Sequence, residues 1–96
     1  MLKINNNTCL FDGITHHKSE NYNSRPKNIV IDTIIIHCIS LPEGYYDNEN
    51  IVDLFTNKID VSKDPAFESL KDIKVSSHLL IKRDGEIIQF VPFNHR

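Results

Sequence analysis

The sequence is poor in the residues and motifs on which several common kinds of site depend. It has 3 glycines among 96 residues, which argues against the glycine-rich loops that cradle nucleotide phosphates. It contains no Cys-x-x-Cys, Gly-x-Ser-x-Gly or His-Glu-x-x-His motif, which excludes redox, serine-hydrolase and helical metalloprotease sites of those types. Its 2 cysteines, Cys9 and Cys38, are too few for a disulfide scaffold. We interpret them as free thiols in a reducing compartment.

The sequence also lacks an excess of positive charge and a long apolar run. A formal net charge of −2 argues against a nucleic-acid binder held by phosphate contacts. No apolar run approaches the ~18 residues needed to span a bilayer, and residues 1–7 have no features of a secretory leader. The hydrophobic content of 40% and charged content of 25% are those of a globular protein. We therefore expect one cytoplasmic domain over residues 1–96, with a thin core.

The first strong structural signal is the β-branched run over residues 29–39, Ile-Val-Ile-Asp-Thr-Ile-Ile-Ile-His-Cys-Ile. Continuous apolar character predicts a strand buried on both faces at the centre of a sheet. Residues 1–28, by contrast, are polar and rich in turn signals, and we expect them to wrap irregularly around a core built by later elements.

Short helices and a hairpin are predicted after this run. Asn50 is a candidate cap for an apolar helical pattern, and Asp64 followed by Pro65 is typical of a helix start. Asp60 and Asp64 are expected to act as caps rather than as catalytic acids. The turn Asp84-Gly85 between β-rich runs predicts a hairpin over residues 75–91.

These elements predict an α/β (α+β) fold with a mixed sheet and short flanking helices. A sheet buried on both sides needs two covering layers, and the sequence offers one. The chain is therefore expected either to dimerise or to be part of something longer.

His37 is the leading candidate for chemistry, because ligands and catalytic groups favour the carboxyl ends of strands in α/β proteins. A hydrogen-bonded structural histidine is the competing interpretation, and spacing alone favours it. Cys38 should face the opposite side of the strand and pack there. His78 could approach His37 if their strands are neighbours, although packing is the more common role. The pair His16-His17 is more often solvated than bound.

Several stretches together resemble the AmpD-type 1,6-anhydro-N-acetylmuramoyl-L-alanine amidases. Residues 34–42, Ile-Ile-Ile-His-Cys-Ile-Ser-Leu-Pro, resemble the strand of that family that carries a zinc ligand. Residues 22–26, 53–60, 75–87 and 89–93 resemble further family segments in the same order. The resemblance covers roughly residues 10–96 and implies half of the amidase fold shared with peptidoglycan recognition proteins.

The resemblance also implies roles for particular residues. His37 matches the first zinc ligand, and Lys74 matches a basic position that meets the anionic groups of the muropeptide. Lys74 is a point charge where the family commonly has the fork of arginine. Cys38 stands where the family often has asparagine and is assigned to substrate binding. The implied reaction is zinc-dependent hydrolysis of the amide between the lactyl group of muramic acid and L-alanine.

The family chain continues for nearly as long again, and its remaining zinc ligands and acid/base groups lie in that part. We therefore expect an N-terminal half, inactive alone, that exposes apolar surface. Three hypotheses follow: an amidase needing a second half, which a second chain could supply; a non-catalytic muropeptide-binding remnant or split-protein partner; and a remnant without function. Metal stoichiometry separates the first from the others.

Overall fold

The computed structural model describes residues 2–46 and 48–96. It contains a two-stranded antiparallel sheet, β1-β2, and a three-stranded mixed sheet in the order β3-β5-β4. The α+β class and the mixed sheet are confirmed. Along the chain the elements are β1 (Ile4–Asn5), β2 (Leu10–Phe11), β3 (Thr15–His16), α1 (Asn50–Phe55), 3₁₀ helices at Val61–Lys63 and Pro65–Leu70, β4 (Leu79–Ile81) and β5 (Ile87–Gln89).

The predicted hairpin is confirmed. Strands β4 and β5 pair antiparallel with Leu80 opposite Ile88. Gly85 takes a φ of +92°, a left-handed conformation that glycine adopts without strain. Asp84 accepts a hydrogen bond from the Glu86 amide at 2.9 Å, so its carboxylate serves the turn.

The N-terminal segment is more ordered than predicted. It forms three short strands, and β3 pairs parallel to β5 with His16 opposite Gln89. The buried Gln89 side chain accepts from the Phe11 amide at 2.7 Å and donates to the Val91 carbonyl at 3.1 Å. The polar segment is thus held by long-range hydrogen bonds that no local pattern signals.

The core lies where α1 packs against the hairpin. The rings of Phe55 and Phe90 meet edge to face, with centroids 5.1 Å apart. The predicted cap is wrong by one position, because Asn50 is the first helical residue and Glu49 precedes it. Asn50 instead donates its side-chain amide to the Leu41 carbonyl at 3.0 Å. The buried apolar cluster comprises Ile51, Val52, Leu54, Phe55, Ile88, Phe90 and Val91.

The predicted capping aspartates are confirmed. Asp60 accepts from the Ser62 amide at 3.0 Å and Asp64 from the Ala66 amide at 2.8 Å. Pro65 occupies the first turn of its 3₁₀ helix, which places Phe67 in the interior at 1% exposure. No described helix has the length and apolar character needed to cross a membrane.

The prediction of a buried central strand over residues 29–39 is wrong for this structure. This segment has no assigned secondary structure, and within residues 2–46 and 48–96 its backbone joins no ladder or bridge. Val30, Ile34 and Ile36 are 78%, 88% and 88% exposed. The physical reason is that an interior strand needs apolar cover on both faces, whereas the described residues form one apolar cluster between α1 and the hairpin, which the segment reaches at Ile39. The segment has the composition of an interior strand without a pairing partner in the described chain.

Candidate functional site

His37 lies near the end of the uncovered segment, and its side chain is exposed. No hydrogen bond, ion pair or aromatic contact within the described chain joins it to Cys38, Lys74 or His78. Cys38 is a free thiol and is also exposed, so the prediction that it packs against the opposite face is wrong. The reason is the same as for the strand: within the described residues no strand pairs with the segment, and the core cluster covers it at Ile39 and not at Cys38.

Lys74 lines an open depression of about 330 Å³ between the residues before the hairpin and the residues around Tyr22. Arg96 lines the same depression, and Glu20 contributes one carboxylate. The charged side chains of the depression are therefore two cations and one carboxylate, and the two cations can attract an anionic group. The remaining lining residues are Asn21, Tyr22 and Asn23.

His78 is held in the structure by contacts other than those considered from the sequence. Its Nε2 lies 2.7 Å from the His95 carbonyl, and its ring stacks on Phe93 with centroids 5.9 Å apart. The carbonyl can only accept, so Nε2 carries the proton. Arg25 donates from Nε to the Phe93 carbonyl at 3.1 Å and brings its guanidinium within 3.5 Å of His78. His78 therefore has a packing role that holds residues 93–95 in place.

Sequence reasoning missed Arg25 and Arg96. The positions of both side chains depend on the pairing of residues 95–96 with residues 23–24. There the backbones of Asn23 and Arg96 exchange hydrogen bonds of 2.6 and 2.9 Å. A bridge between Ser24 and His95 extends this contact. A pairing across such a sequence distance leaves no local periodicity, so no sequence signal was available for it.

A second cluster anchors the loop that follows the uncovered segment. Lys82 forms ion pairs with Glu49 at 3.0 Å and Glu86 at 3.4 Å, and the hydrogen bond that its ammonium donates to the Glu49 carboxylate raises the pKa of Lys82. Beside it the Arg83 guanidinium lies 3.8 Å from the centroid of the Tyr46 ring. These contacts tie Tyr46 and Glu49 to the hairpin turn.

The side chains needed for a metal centre are not gathered in the described chain. Residues 2–46 and 48–96 contain no group of three or more histidine, cysteine, aspartate or glutamate side chains placed to hold a metal ion. A catalytic zinc site uses three protein ligands and one open position. The described residues, taken alone, do not fit zinc.

Comparison with known proteins identifies relatives along most of the chain. The sequence profile of the N-acetylmuramoyl-L-alanine amidase family matches residues 22–96. The 1,6-anhydro-N-acetylmuramyl-L-alanine amidase AmpD of Escherichia coli K12 is 42% identical over 78 residues, which are 81% of this chain and 43% of the relative. The AmpD of Haemophilus influenzae is 37% identical over 79 residues, 82% of this chain and 43% of the relative.

Two solved structures are similar as well. The crystal structure of a Se-Met AmpD derivative superposes with a TM-score of 0.90 at 35% identity, over 98% of this chain and 51% of that chain. The solution structure of Citrobacter freundii AmpD gives a TM-score of 0.53 at 38% identity, over 91% of this chain and 46% of that chain. The chain therefore spans about half the length of the relatives it matches.

Proposed function

Since the chain belongs to the N-acetylmuramoyl-L-alanine amidase family, we propose that it forms the N-terminal part of a zinc-dependent amidase. The substrate is an anhydromuropeptide, and the bond cleaved joins the lactyl group of muramic acid to L-alanine. The observation that carries the proposal is the 42% identity to an enzyme named 1,6-anhydro-N-acetylmuramyl-L-alanine amidase. The proposal places the reaction in the cytoplasm, in the recycling of peptidoglycan.

In this proposal the chain supplies one metal ligand and part of the substrate site. His37 offers a neutral imidazole, a nitrogen donor that suits zinc. Lys74 meets an anionic group of the muropeptide, and its place beside the Arg96 side chain in the open depression supports this role. Cys38, an exposed thiol next to His37 in the chain, is assigned to substrate binding in this proposal. Zinc held by a complete ligand set would polarise the scissile carbonyl and activate water, but one histidine does not make that set.

The test is zinc content and release of L-alanyl peptide from anhydromuropeptide, measured for this chain, for the half of the E. coli relative that this chain does not match, and for the two co-expressed. We expect zinc and activity only in the co-expressed pair. His37→Ala should abolish both, while His17→Ala, which changes another exposed histidine, should change neither. Activity of this chain alone, or full activity of the pair after His37→Ala, would contradict the proposal.

The role of Lys74 is tested separately in the co-expressed pair. Lys74→Ala should raise KM about tenfold with a smaller change in kcat, because it removes a charge that binds the substrate rather than one that acts on the reacting atoms. Lys71→Ala removes an exposed lysine from the same stretch of chain and is the matched control.

A second candidate function is binding of muropeptide without cleavage. The observation that favours it is the lack of a three-ligand group among the described residues. This candidate predicts that the pair, or this chain alone, binds anhydromuropeptide by calorimetry while releasing no peptide.

A further inference from the structure

The chain contains two Asp-Gly pairs, Asp12-Gly13 and Asp84-Gly85. An aspartyl side chain closes a ring with the backbone most readily before glycine, because glycine has no Cβ to hinder the attacking nitrogen. Both glycines have a positive φ, +76° and +92°, and a Cβ built on either would meet no atom of a non-neighbouring residue within 4 Å. Both aspartates are exposed. The two pairs are therefore equally open to reaction in steric terms, and they differ in their hydrogen bonds.

Hydrogen bonds hold both reacting groups of the Asp84-Gly85 pair. The Asp84 carboxylate accepts from the Glu86 amide at 2.9 Å, which turns it towards residue 86. The Gly85 N–H, which carries the nitrogen that would attack, donates to the Lys82 carbonyl at 3.0 Å. The Lys82 amide also donates to the Glu86 carbonyl at 2.8 Å, which closes the turn. Ring closure at this pair would first require the carboxylate and the amide to leave their partners.

The same two groups are free in the Asp12-Gly13 pair. The pair lies between β2 and β3, which belong to different sheets. The Asp12 amide donates to the Lys3 carbonyl at 2.8 Å, but this is not the nitrogen that would react. Within residues 2–46 and 48–96, the Asp12 carboxylate accepts no hydrogen bond and forms no ion pair, and the Gly13 N–H donates to no acceptor. Neither reacting group has to break a contact before the ring closes.

We propose that Asp12-Gly13 is a site of spontaneous succinimide and isoaspartate formation, and that its hydrogen bonds protect Asp84-Gly85 from the same change. The Gly13 nitrogen attacks Cγ of the Asp12 carboxylic acid, an N–Cγ bond forms, and the N–H proton leaves with the acid hydroxyl as water. Water then opens the ring. Addition at Cγ restores aspartate, whereas addition at the α-carbonyl leaves the chain running through Cγ as isoaspartate. The step needs no oxidant, reductant or cofactor, and it does not depend on the proposed function.

The modification has a structural consequence because of where the pair lies. Isoaspartate adds a backbone carbon between β2 and β3. The residues on either side of this link are anchored to the same residue, since the Phe11 amide donates to the Gln89 side chain at 2.7 Å and the His17 amide to the Gln89 carbonyl at 3.0 Å. A longer link between two fixed anchors should strain the pairing of β3 with β5, so amide hydrogen exchange at His17 should become faster in the modified chain.

The experiment incubates the folded 96-residue chain in heavy-oxygen water at mildly acidic pH, because each opening of the ring leaves a heavy oxygen in the carboxyl group of the residue. Digestion in ordinary water and mass spectrometry with fragmentation locate the label. It should enter Asp12 at least about tenfold faster than Asp84, because two hydrogen bonds must open before Asp84 can react. Methyl transfer by an isoaspartyl-specific methyltransferase should detect isoaspartate at residue 12 in the aged chain.

Two variants and one condition complete the test. Asp12→Glu should abolish both signals at residue 12, because the larger ring closes far more slowly, and Asp84→Glu should leave them unchanged. Circular dichroism checks that both variants fold. In urea the two pairs should react at nearly equal rates, because unfolding removes the hydrogen bonds that protect Asp84. The inference is overturned if Asp84 is labelled as fast as Asp12 in the folded chain, if Asp12 takes up no label, or if the difference persists in urea.

Discussion

Truncating three consecutive isoleucines of the apolar segment, residues 29–39, should leave the free energy of unfolding of this chain almost unchanged. The perturbation is the triple variant Ile34→Ala, Ile35→Ala, Ile36→Ala. Each of these side chains is at least 85% exposed, and substitutions at exposed sites usually change stability by less than about 0.5 kcal/mol. In an interior strand each truncation would cost about 2–5 kcal/mol. The sum would rival the whole stability of a domain of 96 residues, which is ~5–14 kcal/mol.

The assay is urea unfolding followed by circular dichroism, with Ile88→Ala as the matched control. Ile88 is 2% exposed within the core cluster, so this single truncation should cost about 2–4 kcal/mol. The triple variant should also bind less of a dye specific for exposed apolar surface, since it removes apolar area from water. A triple variant that fails to fold, while Ile88→Ala folds, would refute the placement of the segment outside the core.

Other perturbations test the contacts that hold the remainder together. Gln89→Leu should cost about 2–3 kcal/mol in urea unfolding, because it leaves the Phe11 amide and the Val91 carbonyl without their partner; a loss below about 0.5 kcal/mol would contradict this. Glu49 raises the pKa of Lys82 above its ordinary 10.5. The contribution of Lys82 to the free energy of unfolding is therefore complete below pH 10.5 and is lost as the pH rises through the pKa of Lys82 in the folded state. Solvent screening holds that contribution below about 1 kcal/mol, and the loss should be absent in Lys82→Met. The hydrogen bond from the Ser62 hydroxyl lowers the pKa of Asp60 below its ordinary 3.8. The contribution of Asp60 to the free energy of unfolding is therefore lost as the pH falls through the pKa of Asp60 in the folded state. Ser62→Ala should raise the pH at which this loss occurs, as followed by urea unfolding at a series of acid pH values.

The elements that local chemistry specifies could be predicted from the sequence. The Asp84-Gly85 turn requires a left-handed glycine and an aspartate that accepts from the backbone, and both are present. The start of the 3₁₀ helix at Pro65 follows from the fixed φ of proline and the capping carboxylate of Asp64. The family resemblance was carried by several short stretches in one order, and the profile match to residues 22–96 confirms it.

What the sequence did not predict depends on contacts between distant residues. Asn50 has the chemistry of a cap, yet its amide is taken by the Leu41 carbonyl and the helix begins one residue earlier than a cap there would allow. β3 pairs parallel with β5 on the side of β5 that does not face β4, and no local pattern in the sequence specifies that side. The depression beside Lys74 forms only because Arg96 is brought back beside Asn23.

The apolar segment shows how a correct inference about composition gives a wrong inference about this chain's structure. A β-branched run indicates a strand that is buried in a sheet. Such a strand is stabilised by side chains that cover its faces and by neighbouring strands that pair with its edges. In the described chain neither is present, so Ile34 and Ile35 lie in solvent. The same argument bears on His37, because a metal ligand on a strand end needs neighbouring strands to bring the other ligands within reach. The exposure of the isoleucines and the isolation of His37 thus have one physical origin, which is that within residues 2–46 and 48–96 no strand pairs with the segment and the apolar cluster does not cover these side chains.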